Sequence, residues 1–106
     1  IVRFGLNPII IVLNNGGYGT ERPMQDGPFN DIGLWQYHRL PEILGAGRGF
    51  SIETEGDLEQ ALKTAQNETQ SFSILDVHLD KDDRSPALQR MTDMLAKRVH
   101  STTSFQ

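Results

Sequence analysis

The residues of this chain best suited to chemistry lie in one short polar stretch, Asn14-Asn15-Gly16-Gly17-Tyr18-Gly19-Thr20-Glu21. Two side-chain amides there offer oxygen to a hard cation, and the glycines let backbone carbonyls and N–H groups approach a ligand closely. Glu21 returns one carboxylate toward the same spot.

The element that must position these groups comes just before them. Residues 8–13, Pro-Ile-Ile-Ile-Val-Leu, form an apolar, β-branched run opened by a proline and closed by the asparagines and glycines. The pattern predicts a strand buried on both faces that delivers a polar loop at its carboxyl end. Open α/β sheets bind ligands at such strand ends.

At these residues the chain resembles the thiamine-diphosphate-dependent 2-oxo acid decarboxylases. The resemblance is carried by Asn14-Asn15-x-Gly17-Tyr18-x-x-Glu21, then Gly27-Pro28-Phe29-Asn30-Asp31-Ile32, Trp35-x-Tyr37 and Leu40-Pro41-Glu42. These landmarks occur in order, and the likeness continues through Ser51-Ile52 and Leu75-Asp76-Val77 to cover residues 1–98. The asparagine pair alone is a weak motif, whereas several landmarks in register are specific.

The resemblance implies that residues 1–106 are the C-terminal part of the domain that binds the cofactor's diphosphate. It implies Mg²⁺ held by the Asn15 side chain and the Gly17 carbonyl, thiamine diphosphate against Asn15, Gly16, Gly17 and Tyr18, and Glu21 as a catalytic acid whose pKa partial burial raises. The Gly-Asp-Gly turn that precedes the asparagine pair in that family is not in this chain. The resemblance also implies a 2-oxo acid substrate, a homo-oligomer, and a pyrimidine-binding domain supplied by a neighbouring subunit. It gives a strand order as well, in which the strand around residues 72–77 inserts between the other two and leaves a long edge exposed beyond residues 9–13.

Residue patterns alone predict the remaining elements. Ile1-Val2-Arg3-Phe4 reads as the last turn of a helix with Gly5 at C′, as if the chain opened inside a longer protein. Residues 22–33 hold Pro23, Asp26-Gly27, Pro28 and Asn30-Asp31, which predicts a long irregular loop of the functional or mobile kind. Trp35, Tyr37, Leu40, Ile43 and Leu44 supply apolar contacts around a short helix with Pro41 at N1, ending at Gly45. The glycines from Gly45 to Gly49 follow a helix, so they read as a cap and turn and not as a dinucleotide fingerprint.

A strand over residues 50–52 precedes a helix opened by a Thr54/Asp57 capping box, with Leu58, Ala61, Leu62 and Ala65 on its buried face. Residues 71–77 form another strand, and Asp80, Asp82 and Asp83 sit in a solvated loop without the spacing of a calcium site. Ser85 caps and Pro86 opens a last helix whose buried face carries Leu88, Met91, Leu95 and Val99, fraying from His100 onward. The pattern is therefore α/β with a parallel sheet and right-handed crossovers, and the resemblance implies that this is a three-layered, partial thiamine-diphosphate-binding fold.

Composition narrows the partners. The chain has 106 residues, 37% of them hydrophobic, which is enough for one modest core. A net charge of −4, with no stripe of Lys and Arg, argues against nucleic acid. There are no cysteines, which removes disulfides and thiolate chemistry. No run is long enough to span a bilayer and no signal peptide opens the chain, so a cytoplasmic setting is expected. His38, His78 and His100 are scattered without ligand spacing and read as surface or satisfied side chains.

Three functions fit. The first is a fragment of a 2-oxo acid decarboxylase of the pyruvate or indolepyruvate type, inactive alone. The second is a carboligating, acetolactate synthase-like relative, against which Glu21 argues. The third is a non-catalytic α/β interaction module that associates through its exposed edge.

Overall fold

Three parallel strands, β1 (Ile9–Asn14), β2 (Arg48–Ile52) and β3 (Ser73–His78), form a sheet in the order β1-β3-β2. The last strand lies in the middle, as the family resemblance implies. Ile10 pairs with Ile74 and Val12 with Asp76 on one side, while Ser51 pairs with Asp76 and Ile52 with Val77 on the other. The computed structural model describes residues 1–103. They form two compact units, Ile1–Asn14 with Leu34–Leu79, and Asn15–Gly33 with the chain from Asp80 onward.

The first unit has three layers. On one face of the sheet lies α2 (Glu55–Asn67), whose Ala61 and Ala65 pack with Ile52 and Leu75, flanked by Phe50, Leu58, Leu62 and Val77. Small alanines at the contact let the helix approach the sheet closely, which is why the face Leu58-Ala61-Leu62-Ala65 reads correctly from the sequence. A 3-10 turn (Tyr37–Arg39) running into α1 (Leu40–Leu44) covers the other face. Gly49 permits this approach, because a Cβ at that position would land on the His38 carbonyl. Gly45, at φ 70°, caps α1 in the left-handed region, as the sequence predicts.

Several expectations need correction. β1 is not buried on both faces: Ile11 is 51% and Leu13 64% exposed, and only Asn14 of the strand is buried. It occupies an edge, while α2 packs on β2 and β3. The exposed edge itself is as expected. Pro41 is the second helical residue, not the first, because the preceding 3-10 turn starts the helix early. Trp35, Ile43 and Leu44 are exposed, and Trp35 stacks instead on Tyr37 with ring centres 6.2 Å apart. Val2–Phe4 is a single 3-10 turn, closed by Gly5 at φ 62°.

The second unit contains α3 (Pro86–Thr103), with the Leu88 N–H donating to the Ser85 hydroxyl at 3.1 Å as its cap. Its buried position is Thr92, not the Met91, Leu95 and Val99 stripe, each of which is exposed. Hydropathy misses this because the Thr92 hydroxyl donates to the carbonyls of Leu88 (2.9 Å) and Gln89 (3.1 Å), which makes its burial inexpensive. Nor does the helix fray at His100. Ser101 and Thr102 hydroxyls bond the Arg98 carbonyl at 2.8 and 2.9 Å, and helical backbone continues to Thr103. Residues 104–106, part of the predicted frayed end, lie outside the described residues. Among the described residues no helix is long and apolar enough to cross a membrane.

The capping box of α2 is complete, with the Asp57 N–H on the Thr54 hydroxyl at 3.1 Å and the Thr54 N–H on Asp57 Oδ2 at 3.1 Å. Thr54→Ala should cost about 1 kcal/mol of stability in urea unfolding. The Glu53 N–H and then the Thr54 hydroxyl hold the Asp57 carboxyl below the usual carboxylate range. Its contribution is therefore present above the unfolded-state pKa, about 3.9 for Asp, and is lost as pH falls through the lower folded value. The destabilisation caused by Asp57→Ala should accordingly be full at neutral pH and shrink in strong acid.

Candidate functional site

The loop Asn15–Gly33 follows β1 directly and folds back on itself within the second unit. Gly16 turns the chain at φ 70°, a conformation a side chain disfavours. The Ile32 N–H then donates to the Gly16 carbonyl at 2.9 Å and the Tyr18 N–H to the Asn30 carbonyl at 2.8 Å, with Gly17 and Asp31 forming an isolated antiparallel bridge. The Gly17 N–H reaches Asn15 Oδ1 at 3.4 Å. A short turn follows, in which the N–H groups of Glu21 and Arg22 both donate to the Tyr18 carbonyl, at 3.1 and 3.3 Å.

Arg22 holds the far side of this loop. Its buried guanidinium donates to Asp31 at 2.7 Å and Asp26 at 3.4 Å. The hydrogen bond to Asp31 is the main influence that raises its pKa, keeping the charge fixed. Asn30, also buried, ties the Gln25 carbonyl at 2.8 Å. A Cβ at Gly17 would strike both the Asn30 carbonyl and the Arg22 guanidinium. The irregular composition thus yields a loop with specific internal ties, and Gly17 is glycine because two neighbours occupy the space of a side chain.

The predicted site residues Asn15, Gly16, Gly17 and Tyr18 therefore share one stitched turn, and Glu21 follows on the next. Glu21 is exposed in this chain. Asn14, read as a cation ligand with Asn15, is committed elsewhere. Its amide donates to Asp76 Oδ1 at 2.9 Å and to the Trp35 carbonyl at 3.2 Å.

Sequence reasoning missed a second group, wholly within the first unit. Asp76, 0% exposed at the centre of β3, accepts from His38 Nδ1 at 2.9 Å, and His78 Nε2 stands 3.8 Å from the same carboxylate oxygen. Burial, the largest influence, pushes the Asp76 pKa up, but hydrogen bonds from His38 and Asn14 together with the charge of His78 bring it below the ordinary carboxylate value. The histidines are far apart in sequence, yet two of them converge. The available signal was an aspartate placed inside the apolar run Ser73-Ile74-Leu75-Asp76-Val77.

A groove of about 460 Å³ is lined by Leu34, Trp35, Tyr37, Leu40 and Ile43 together with the polar Gln36, Arg39 and Glu42.

Residues 1–77 match the family profile of the thiamine pyrophosphate enzyme C-terminal TPP binding domain. The chain is 38% identical over 93 residues to pyruvate decarboxylase 2 of Arabidopsis thaliana, covering 83% of this chain and 15% of that protein. It is 33% identical over 92 residues to a probable pyruvate decarboxylase of Schizosaccharomyces pombe, covering 83% of this chain and 16% of that protein. It is 35% identical over 83 residues to an alpha-keto-acid decarboxylase of Mycolicibacterium paratuberculosis, covering 74% of this chain and 15% of that protein. The chain thus spans about 15% of the length of these relatives.

Gly17→Ala should detach the turn from residues 30–32. Amide exchange at Tyr18 and Ile32 should then accelerate by roughly tenfold or more, while that of Leu75 in the central strand stays unchanged. Unaltered protection at Tyr18 would show that the side chain is accommodated.

Proposed function

We propose, from the premise that this chain belongs to the thiamine pyrophosphate enzymes through their C-terminal TPP-binding domain, that it is a segment of a 2-oxo acid decarboxylase. Family membership implies thiamine diphosphate as the cofactor. When bound, that cofactor supplies the nucleophilic carbon and the electron sink for loss of CO₂ from a 2-oxo acid. The observation that carries this reading for the chain's own residues is the stitched turn of Asn15 to Tyr18 with Glu21 immediately after it.

The donors of that turn suit the task. Asn15 Oδ1 and the Gly17 carbonyl are hard, neutral oxygens of the kind Mg²⁺ takes beside a phosphate, which itself brings the negative charge. The missing side chain at Gly17 lets Asn30 and Arg22 pack against the turn, and these two residues keep it from opening. Gly16 and Tyr18 flank these donors at the diphosphate, with the Tyr18 N–H and carbonyl already taken within the loop by Asn30, Glu21 and Arg22. Glu21 moves a proton to and from substrate at its carboxyl oxygens, and a covering domain would exclude water from it.

That covering domain is the pyrimidine-binding domain of a neighbouring subunit, which makes the working protein a homo-oligomer. The exposed apolar residues Leu34, Trp35 and Ile43 and the open β1 edge support the need for further partners. The same open edge favours a second reading, a non-catalytic module that self-associates through β1.

CO₂ release from pyruvate and from an aromatic 2-oxo acid tests the assignment. The 106-residue chain should release none. The polypeptide from the reading frame extended upstream should turn over, and Glu21→Gln in it should lower kcat by about 10²- to 10⁴-fold. Turnover by the short chain, or an unchanged kcat in Glu21→Gln, would contradict the proposal. An extended frame that lacks all thiamine-dependent turnover would favour the self-associating module.

A further inference from the structure

The buried Asp76 has no part in the proposed cofactor site, yet it gathers side chains that form a ligand set of their own. Asp76 Oδ2, His38 Nδ1 and His78 Nε2 all lie within 4.8 Å of one another. His38 Nδ1 is 2.9 Å and His78 Nε2 3.8 Å from Asp76 Oδ2, and Glu53 Oε1 is 3.8 Å from His78 Nε2. The Ser51 hydroxyl is 3.2 Å from the same His78 nitrogen.

Two of these groups are fixed by the sheet. Asp76 and His78 are two residues apart on β3, so both point to the face opposite α2. The third is fixed by contact of backbone with backbone, since Gly49 lets the Tyr37–Arg39 turn lie against β2 and lowers His38 onto the carboxylate. The outer oxygen of Asp76 is held as well, by the Asn14 amide at 2.9 Å. This is the outer-shell hydrogen bond that orients a ligating carboxylate.

We propose that His38 Nδ1, Asp76 Oδ2 and His78 Nε2 bind a divalent transition ion of the zinc type, with Glu53 as the fourth ligand. Ligands 2.0–2.2 Å from a tetrahedral zinc stand roughly 3.3 Å apart. The two separations from Asp76 Oδ2, 2.9 and 3.8 Å, bracket that value. Two imidazoles with a carboxylate select Zn²⁺, Co²⁺, Ni²⁺ or Cu²⁺ over Mg²⁺, which prefers oxygen alone. Glu53 stands outside this cluster of three but is exposed and 3.8 Å from His78 Nε2, and its side chain swings in to complete the set. The ion replaces the His38–Asp76 hydrogen bond with bonds from both residues to one centre: the Nδ1 proton leaves to solvent, the neutral ring keeps its one proton on Nε2, and the 3-10 turn is clamped onto the sheet. This site uses none of the residues proposed for Mg²⁺.

Titrating the metal-stripped 106-residue chain with Co²⁺ tests this, read by visible d–d absorption. One equivalent should give the intense bands of a low-coordinate ion. Zn²⁺ should abolish them, excess Mg²⁺ should not, and Zn²⁺ should raise Tm because it binds only the folded state. His78→Ala and His38→Ala should each weaken binding by about tenfold or more, the least that loss of even an outer-shell partner typically causes. His100→Ala should leave it unchanged. Far-ultraviolet circular dichroism checks that each variant folds; His78 is half-exposed, so His78→Ala decides the matter if His38→Ala does not fold. Absence of low-coordinate bands, full-strength binding in His78→Ala, or equal weakening by His100→Ala would overturn the proposal.

Discussion

A carboxylate sealed from water at the middle of the central strand sets the terms for the first unit. An unpaired buried charge is too costly to keep, so Asp76 must be surrounded by donors. Each neighbouring element supplies or permits one. β1 ends in Asn14, which gives its amide to Oδ1; the Tyr37–Arg39 turn gives the His38 ring and N–H to Oδ2; and β2 carries Gly49, the position that lets the turn come down. The apolar core on the opposite face is small, built from Ile52, Leu75 and two alanines. The polar layer therefore takes a large share in fixing the register of β1 and the position of the turn.

Through the chain itself, this constraint reaches the loop proposed to hold the cofactor. Asn14 is anchored to Asp76, so the polypeptide leaves the sheet at a defined residue, and Asn15 is the first free to serve another purpose. The asparagine pair divides its labour, one amide being structural and the other available for metal. The loop then holds its own shape through Gly16, Gly17, Arg22 and Asn30, without needing a large apolar contact.

How much of this the sequence discloses depends on the kind of signal. Elements marked by local chemistry read correctly: the Thr54/Asp57 capping box, the Gly5 and Gly45 caps, the Ser85-Pro86 helix start. The strand order followed from family likeness, because nothing in the periodicity of residues 9–13 or 73–78 says which strand is central. Burial was misread where it depends on long-range neighbours. The isoleucines of β1 look like a buried strand's, and only the sheet order reveals that one face lacks a cover. In α3, Thr92 was passed over because its polarity is cancelled by its own helix. At the candidate site the motif nominates Asn15, Gly17 and Glu21 for roles that stand as proposals, whereas Arg22 and the His38–Asp76–His78 group depend on pairings across the fold that have no spacing to betray them.

The turn beginning at Asn15 is proposed to hold a magnesium-bound diphosphate. Calorimetric titration of thiamine diphosphate into the upstream-extended polypeptide, with and without Mg²⁺, addresses it most directly. Mg²⁺-dependent binding that Asn15→Ala weakens and Glu21→Gln leaves intact is the predicted result. Equal affinity for Asn15→Ala and the parent, or binding indifferent to Mg²⁺, would contradict it.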